Sequence, residues 1–233
     1  MDRTTLAFLG GLAHELRTPL GAIGGYTELM ELGVHGPLSP AQQDGLERIR
    51  KNQELMVSLL NAFMAYAEVA AGDVELAPRS VCLRSALDDA ISTVEPVAEA
   101  RSVRVELDPA ASINTADTTV EADPDGLDTL LVEVLRDAIE SGPGGGVVHV
   151  TLGIRDQLVR VEVRSGGEPI GAESAEATFR PFDRKARGAR TSASPHMLSL
   201  PHARLLARLL GGDIRAITTS PTRAVMVELR QCR

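Results

Sequence analysis

His14-Glu15-Leu16-Arg17-Thr18-Pro19-Leu20 is the stretch on which the reading of this chain turns. It sits inside an apolar pattern that begins near Thr4 and runs to about Leu32. Leu9, Ala13, Leu16, Leu20 and Ile23 recur every three or four residues, the spacing of one apolar helix face. His14 falls beside that seam, Glu15 follows it, and Thr18 lies one turn further on the same side. Pro19 removes a backbone donor and crowds the preceding turn, so the pattern predicts a helix kinked just after the histidine. From periodicity alone, His14 reads as a polar residue on a helix surface.

Working outward, the helix is predicted to stop at Gly33, in the position helices reserve for a C-terminal glycine. Gly36, Pro37 and Pro40 mark a turn. Ser39 is a suitable N-cap with Pro40 at the first helical position. A second helix then runs from about Pro40 to Ala71, with Leu46, Ile49, Gln53, Met56, Leu60, Phe63 and Ala67 in alternating steps of three and four. Two long amphipathic helices with a short link form an antiparallel hairpin. Each offers one apolar stripe, and a lone hairpin covers only part of both. Pairing two hairpins into a four-helix bundle solves this, so a homodimer through residues 1–72 is expected. The alternative is that the hairpin packs on the rest of its own chain.

The 233 residues suit one large domain or two small ones. Aromatics are 3% with no tryptophan, so the core must be built from Leu, Val, Ile and Ala. A net charge of −8 argues against a nucleic-acid partner, which calls for a basic face. Cys82 and Cys232 are far apart and match no metal spacing, the pattern of free thiols in a reducing compartment. The apolar stretch Ala62 to Ala71 is short and broken by Glu68, and the N-terminus lacks a basic-then-apolar leader. A cytoplasmic location without a membrane span is the expectation.

A second unit is expected over residues 73–233. Helices are predicted over Ser80–Val94, Leu127–Ser141 and Leu205–Leu210. Strands are predicted at Val103–Leu107, Val120–Asp123, Val147–Ile154, Leu158–Val163, Ile214–Ile217 and Ala224–Leu229. Mixed helices and adjacent antiparallel strands give an α+β class, one sheet with helices on one face.

The heptapeptide closely resembles the H-box of two-component sensor histidine kinases, and the order of elements after it resembles their catalytic domain. The resemblance runs from Thr4 to Leu229 and implies a helical hairpin that is a four-helix bundle in the dimer, followed by an α/β sandwich of the GHKL ATPase fold. It implies that His14 accepts phosphate and exchanges it with an aspartate on a response regulator receiver domain. Glu15 would be the general base for the imidazole, Thr18 would position a water for regulator dephosphorylation, and Arg17 would meet phosphate or the regulator's acidic site.

The nucleotide motifs depart from that family. In Glu133-Val134-Leu135-Arg136-Asp137-Ala138-Ile139-Glu140-Ser141-Gly142-Pro143, Asp137 stands where the family has its Mg²⁺-orienting asparagine. Asp137 is thus the candidate metal residue, since hard oxygen donors suit Mg²⁺. Glu133, Asp137 and Glu140 also place three acids where a triphosphate would lie, a field that repels ATP without metal; a solvated acidic face is the other reading. In Ser165-Gly166-Gly167-Glu168-Pro169-Ile170, Ser165 stands at the adenine-binding aspartate and Pro169 at the second motif glycine. Losing a charge-assisted contact there costs about 1.5–3 kcal/mol. Thr178-Phe179-Arg180-Pro181-Phe182-Asp183-Arg184 matches the F-box well, and its phenylalanines read equally as core anchors. The family's glycine-rich phosphate loop corresponds to Ser194–Pro201, which has no glycine and two prolines. The candidate nucleotide contacts are Glu133, Asp137, Ser165, Gly167, Arg184 and Lys185, with Arg187 and Arg190 as further cations in the same lid. Three functions follow: phosphotransfer through His14, ATP-dependent autophosphorylation with Mg·ATP, or a scaffold that binds another histidine kinase or a regulator.

Overall fold

A computed structural model of the chain describes residues 1–108, 118–183 and 197–232. The chain forms two compact units, the first ending at Val74 and the second beginning at Glu75.

The first unit is a pair of helices, α1 (Arg3–Glu31) and α2 (Pro40–Ala71). Asp2 caps α1, accepting a hydrogen bond from the Thr5 N–H at 2.7 Å. Ser39 and Gln42 form a reciprocal capping box at the start of α2, with Pro40 in the first turn. Gly72 ends α2 in the left-handed conformation, as glycine does without strain. The helix α1 runs unbroken through Pro19 and stops at Glu31, two residues before the left-handed Gly33. Leu6, Ala13, Leu20 and Thr27 are its buried residues, one every seven. Leu6 and Ala13 pack with Met64 and Ala67 of α2, and Leu9, Leu60 and Phe63 close around this core. Leu16 and Ile23, read from sequence as part of the inner face, are exposed, as are Ile49 and Met56 on α2. Gln53 reaches across to donate to the Leu20 carbonyl at 3.0 Å. Gly24 makes room for it: a Cβ there would come within 3.3 Å of the Gln53 amide. By length and composition alone α2 also reaches what a membrane-spanning helix needs, with a most apolar window of mean hydropathy 1.3.

The second unit has a five-stranded sheet with order β2-β4-β5-β7-β6. Its strands are β2 (Arg104–Leu107), β4 (Val147–Arg155), β5 (Leu158–Ser165), β6 (Asp213–Ala216) and β7 (Arg223–Arg230). The pair β2–β4 is parallel and the others are antiparallel. Asp156 and Gln157 both take positive φ at the tight β4–β5 turn. A separate two-stranded ribbon joins β1 (Arg79–Cys82) to β3 (Thr119–Ala122). Among the described residues three α-helices belong to the same unit: α3 (Leu83–Ala100), α4 (Pro124–Ser141) and α5 (Ser199–Leu209).

On β4 and β5, Val148, Val150, Leu152, Val159, Val161 and Val163 alternate inward and are almost fully buried. They meet the buried face of α4, where Leu127, Leu130, Leu131, Val134, Leu135 and Ile139 are each at most 1% exposed. Each such side chain contributes about 1.5–3 kcal/mol on burial, so α4 is the central helix of the layer. The opposite sheet surface carries charge: Glu228 on β7 pairs with Arg160 of β5 at 2.8 Å and with Arg215 of β6.

Two sequence expectations change here. Ser80 to Cys82 is strand, not helix, and α3 extends on to Ala100. The segment from Ser199 to Pro201, read as part of a phosphate loop, is the first turn of α5. Pro201 fits there because the first turn of a helix needs no partner for its N–H groups.

Candidate functional site

His14, Glu15, Arg17 and Thr18 are all exposed on α1, between the buried Ala13 and Leu20. The missing N–H of Pro19 leaves the Glu15 carbonyl without its intrahelical donor. The Thr18 hydroxyl donates back to the His14 carbonyl at 3.5 Å, which fixes its side of the helix. Arg17 is not directed only outward: its guanidinium donates to the Asn61 side chain on α2 at 2.9 Å. His14 and Glu15 thus stand on a helix anchored by its opposite face, with the imidazole open to an incoming group.

In the second unit, the acids of α4 are not a bare negative face. Asp137 is buried, with its carboxylate Oδ2 accepting from Arg223 at 3.0 and 3.2 Å. Arg223, at the start of β7, is itself buried. Glu133 lies 3.7 Å from the His202 imidazole of α5. Burial pushes the Glu133 carboxyl up, but hydrogen bonding with His202 and Ser199 outweighs it and leaves it below the ordinary carboxylate value. The repulsive three-acid field expected from sequence is therefore corrected: two of its members are matched by basic partners of this chain.

Ser165 ends β5 and is buried, and its hydroxyl has no hydrogen-bond partner among the described residues. Gly167 lies against the last turn of α4, where a Cβ would be 2.6 Å from the Ser141 carbonyl oxygen. Only glycine allows this approach. The Gly167 carbonyl in turn accepts from the Arg223 N–H at 3.0 Å. Phe179 of the F-box stretch is buried beneath the Arg204 guanidinium, 4.6 Å from its ring centre, whereas Phe182 is exposed. Arg184, Lys185, Arg187 and Arg190 lie outside the described residues, as does the start of the glycine-free loop.

Comparison with known proteins fits both units. Residues 5–72 match the His Kinase A (phospho-acceptor) domain. Residues 122–231 match the histidine kinase-, DNA gyrase B- and HSP90-like ATPase domain. The chain belongs to the two-component histidine kinase family.

Among curated members, histidine protein kinase DivJ of Caulobacter vibrioides is 28% identical over 207 residues, covering 89% of this chain and 34% of DivJ. The non-motile and phage-resistance protein of the same organism is 30% identical over 182 residues, covering 76% of this chain and 21% of that protein. The chain thus spans about a third or less of the length of these relatives. The crystal structure of full-length ShkA in complex with AMPPNP superimposes on all of this chain and 46% of that one, with TM-score 0.76 and 21% identity. The Acinetobacter baumannii histidine kinase AdeS covers 94% of this chain, with TM-score 0.62 and 18% identity. Both share the fold of this chain.

The ATPase-type fold implies Mg·ATP, and two of the candidate residues for it, Asp137 and Gly167, are engaged within the chain. The candidate metal residue Asp137 is satisfied by a guanidinium rather than presented to solvent. Among the described residues no group of three or more His, Cys, Asp or Glu is placed to hold a metal ion. Ser165 and Gly167 face the end of α4 at contact distance. Arg223 is the residue the sequence did not reveal. Its only signal was an arginine just ahead of the apolar run Ala224–Val227, 86 residues from Asp137.

Proposed function

We propose that this histidine kinase-like chain is a phosphotransfer protein that moves a phosphoryl group between His14 and an aspartate of a response regulator receiver domain, without using ATP of its own. The observation that carries this reading is the contrast between the two units: an open imidazole in an intact motif, and an acid at the nucleotide site already neutralised inside the protein. The unprotonated imidazole nitrogen of His14 attacks phosphorus in line as the bond to the regulator's aspartyl oxygen breaks and its carboxylate leaves. Glu15 takes up the proton released by the ring. Thr18 supports the reverse service, orienting a water against the regulator's acyl phosphate. Arg17, tied to Asn61, keeps spare N–H donors for phosphate oxygens. The uncovered stripe on α1 and α2 pairs with the same stripe of a second copy, giving a dimer with two such histidines.

The test is to incubate the protein with a receiver domain carrying ³²P-labelled phosphoaspartate. Acid-labile label on the wild type and none on His14→Ala supports phosphotransfer. A second reading, ATP-dependent autophosphorylation, is favoured by the ATPase-domain match over residues 122–231. Label on His14 from γ-³²P-ATP and Mg²⁺ alone would establish that reading and remove the first.

A further inference from the structure

The Arg223–Asp137 pair joins the start of β7 to α4, between residues 86 apart in sequence. Both side chains are nearly removed from solvent, at 10% and 5% exposure. Two of the arginine nitrogens, Nε and Nη2, converge on one carboxylate oxygen. The Arg223 backbone meanwhile holds the Gly167 carbonyl, and Gly167 presses on Ser141 at the end of α4. One residue therefore ties three segments together: the last turns of α4, the Ser165–Gly167 segment, and β7. The first two are segments the family resemblance assigns to nucleotide. An isolated carboxylate at Asp137 would be costly in so buried a place, and a cation must accompany it. Here the cation is a side chain of the same chain.

We propose that Arg223 is an internal plug. Its guanidinium takes the place of the cation that Asp137 would otherwise require, while its backbone N–H holds the Ser165–Gly167 segment against α4, so that this unit is closed to nucleoside triphosphates by its own charge pair. The inference rests on the reading of an ATP-independent protein and supplies its physical cause. It is separable from that reading, because it is tested by binding and stability rather than by phosphate on His14.

Fluorescence titration with trinitrophenyl-ATP, with and without Mg²⁺, is the experiment, made on the full chain. The wild type is expected to give no saturable signal at up to about 100 μM probe, roughly the range in which a weak site is still detected. The variant Asp137→Asn/Arg223→Ala removes both charges together, so neither is stranded. It is expected to fold, by circular dichroism, and to bind at least about tenfold more tightly than the wild-type limit. Melting supplies the second readout. Arg223→Ala alone takes the guanidinium from a buried carboxylate and is expected to lower Tm by roughly 10 °C, with the double variant losing less than the sum of the two single changes. Saturable Mg-dependent binding by the wild type overturns the proposal. So does a folded double variant that binds no better than the wild type, or single changes whose melting shifts simply add.

Discussion

Glu133 shows how one residue can be read wrongly by type and rightly by neighbours. As a carboxylate on a helix near other acids it suggested repulsion, yet His202 and Ser199 hold it ionised in a partly buried place. Because its folded-state value lies below the ordinary one, its contribution to stability is present above about pH 4.3, the unfolded value, and is lost as pH falls through the lower folded value. Glu133→Gln is therefore expected to lower Tm at neutral pH and to flatten the loss of stability between about pH 5 and 3. Thermal melts across that range check it, and parallel acid limbs for the two proteins would refute it. Asp123 is a simpler case. It caps α4 through the Gly126 N–H at 2.8 Å and also accepts from the Ala77 N–H at 2.9 Å. These two backbone donors hold its carboxyl below the ordinary value. Asp123→Ala is expected to cost about 1 kcal/mol in urea unfolding, the usual loss for a removed cap, with no change in phosphotransfer through His14.

At the scale of elements, the hairpin was legible because its signals are local and repeated. Caps, heptads and a glycine stop all sit within a few residues of the structure they specify. The buried set at Leu6, Ala13, Leu20 and Thr27 leaves Leu16 and Ile23 on α1, with Ile49 and Met56 on α2, as an uncovered apolar surface. The sequence could not divide one apolar face into an inner and an outer part, since both obey the same period. If a second copy covers the outer part, Ile49→Asp/Met56→Asp is expected to shift the protein from dimer to monomer in light scattering at micromolar concentration. A dimer that survives those charges would assign the stripe elsewhere. The strand β1 was hidden for the opposite reason. It is four residues long and paired with β3 across some forty residues, a contact that no local pattern records. The start of α5 was hidden by Pro201, which reads as a breaker but is harmless in a first turn.

For the whole molecule the same division by range decides how much function could be read. The proposed phosphoacceptor lies in seven consecutive residues, so the sequence carries it whole. The proposed closure of the nucleotide site rests on Asp137, Ser165, Gly167 and Arg223, drawn from a helix, a strand end, a loop and a distant strand. Substitutions at each motif indicated departure from the family, but only the fold shows the carboxylate and the guanidinium in one place. If the second unit is closed by that pair, phosphate flow must be independent of it. The rate at which label moves from a phosphorylated receiver to His14 is then expected to change less than about twofold when ATP or a non-hydrolysable analogue is added, a shift below 0.4 kcal/mol in the barrier. Single-turnover transfer with and without 1 mM nucleotide measures this. A nucleotide-dependent rate, coupled to saturable binding, would mean that the two units communicate through a bound triphosphate, and that the Arg223–Asp137 pair opens to admit it.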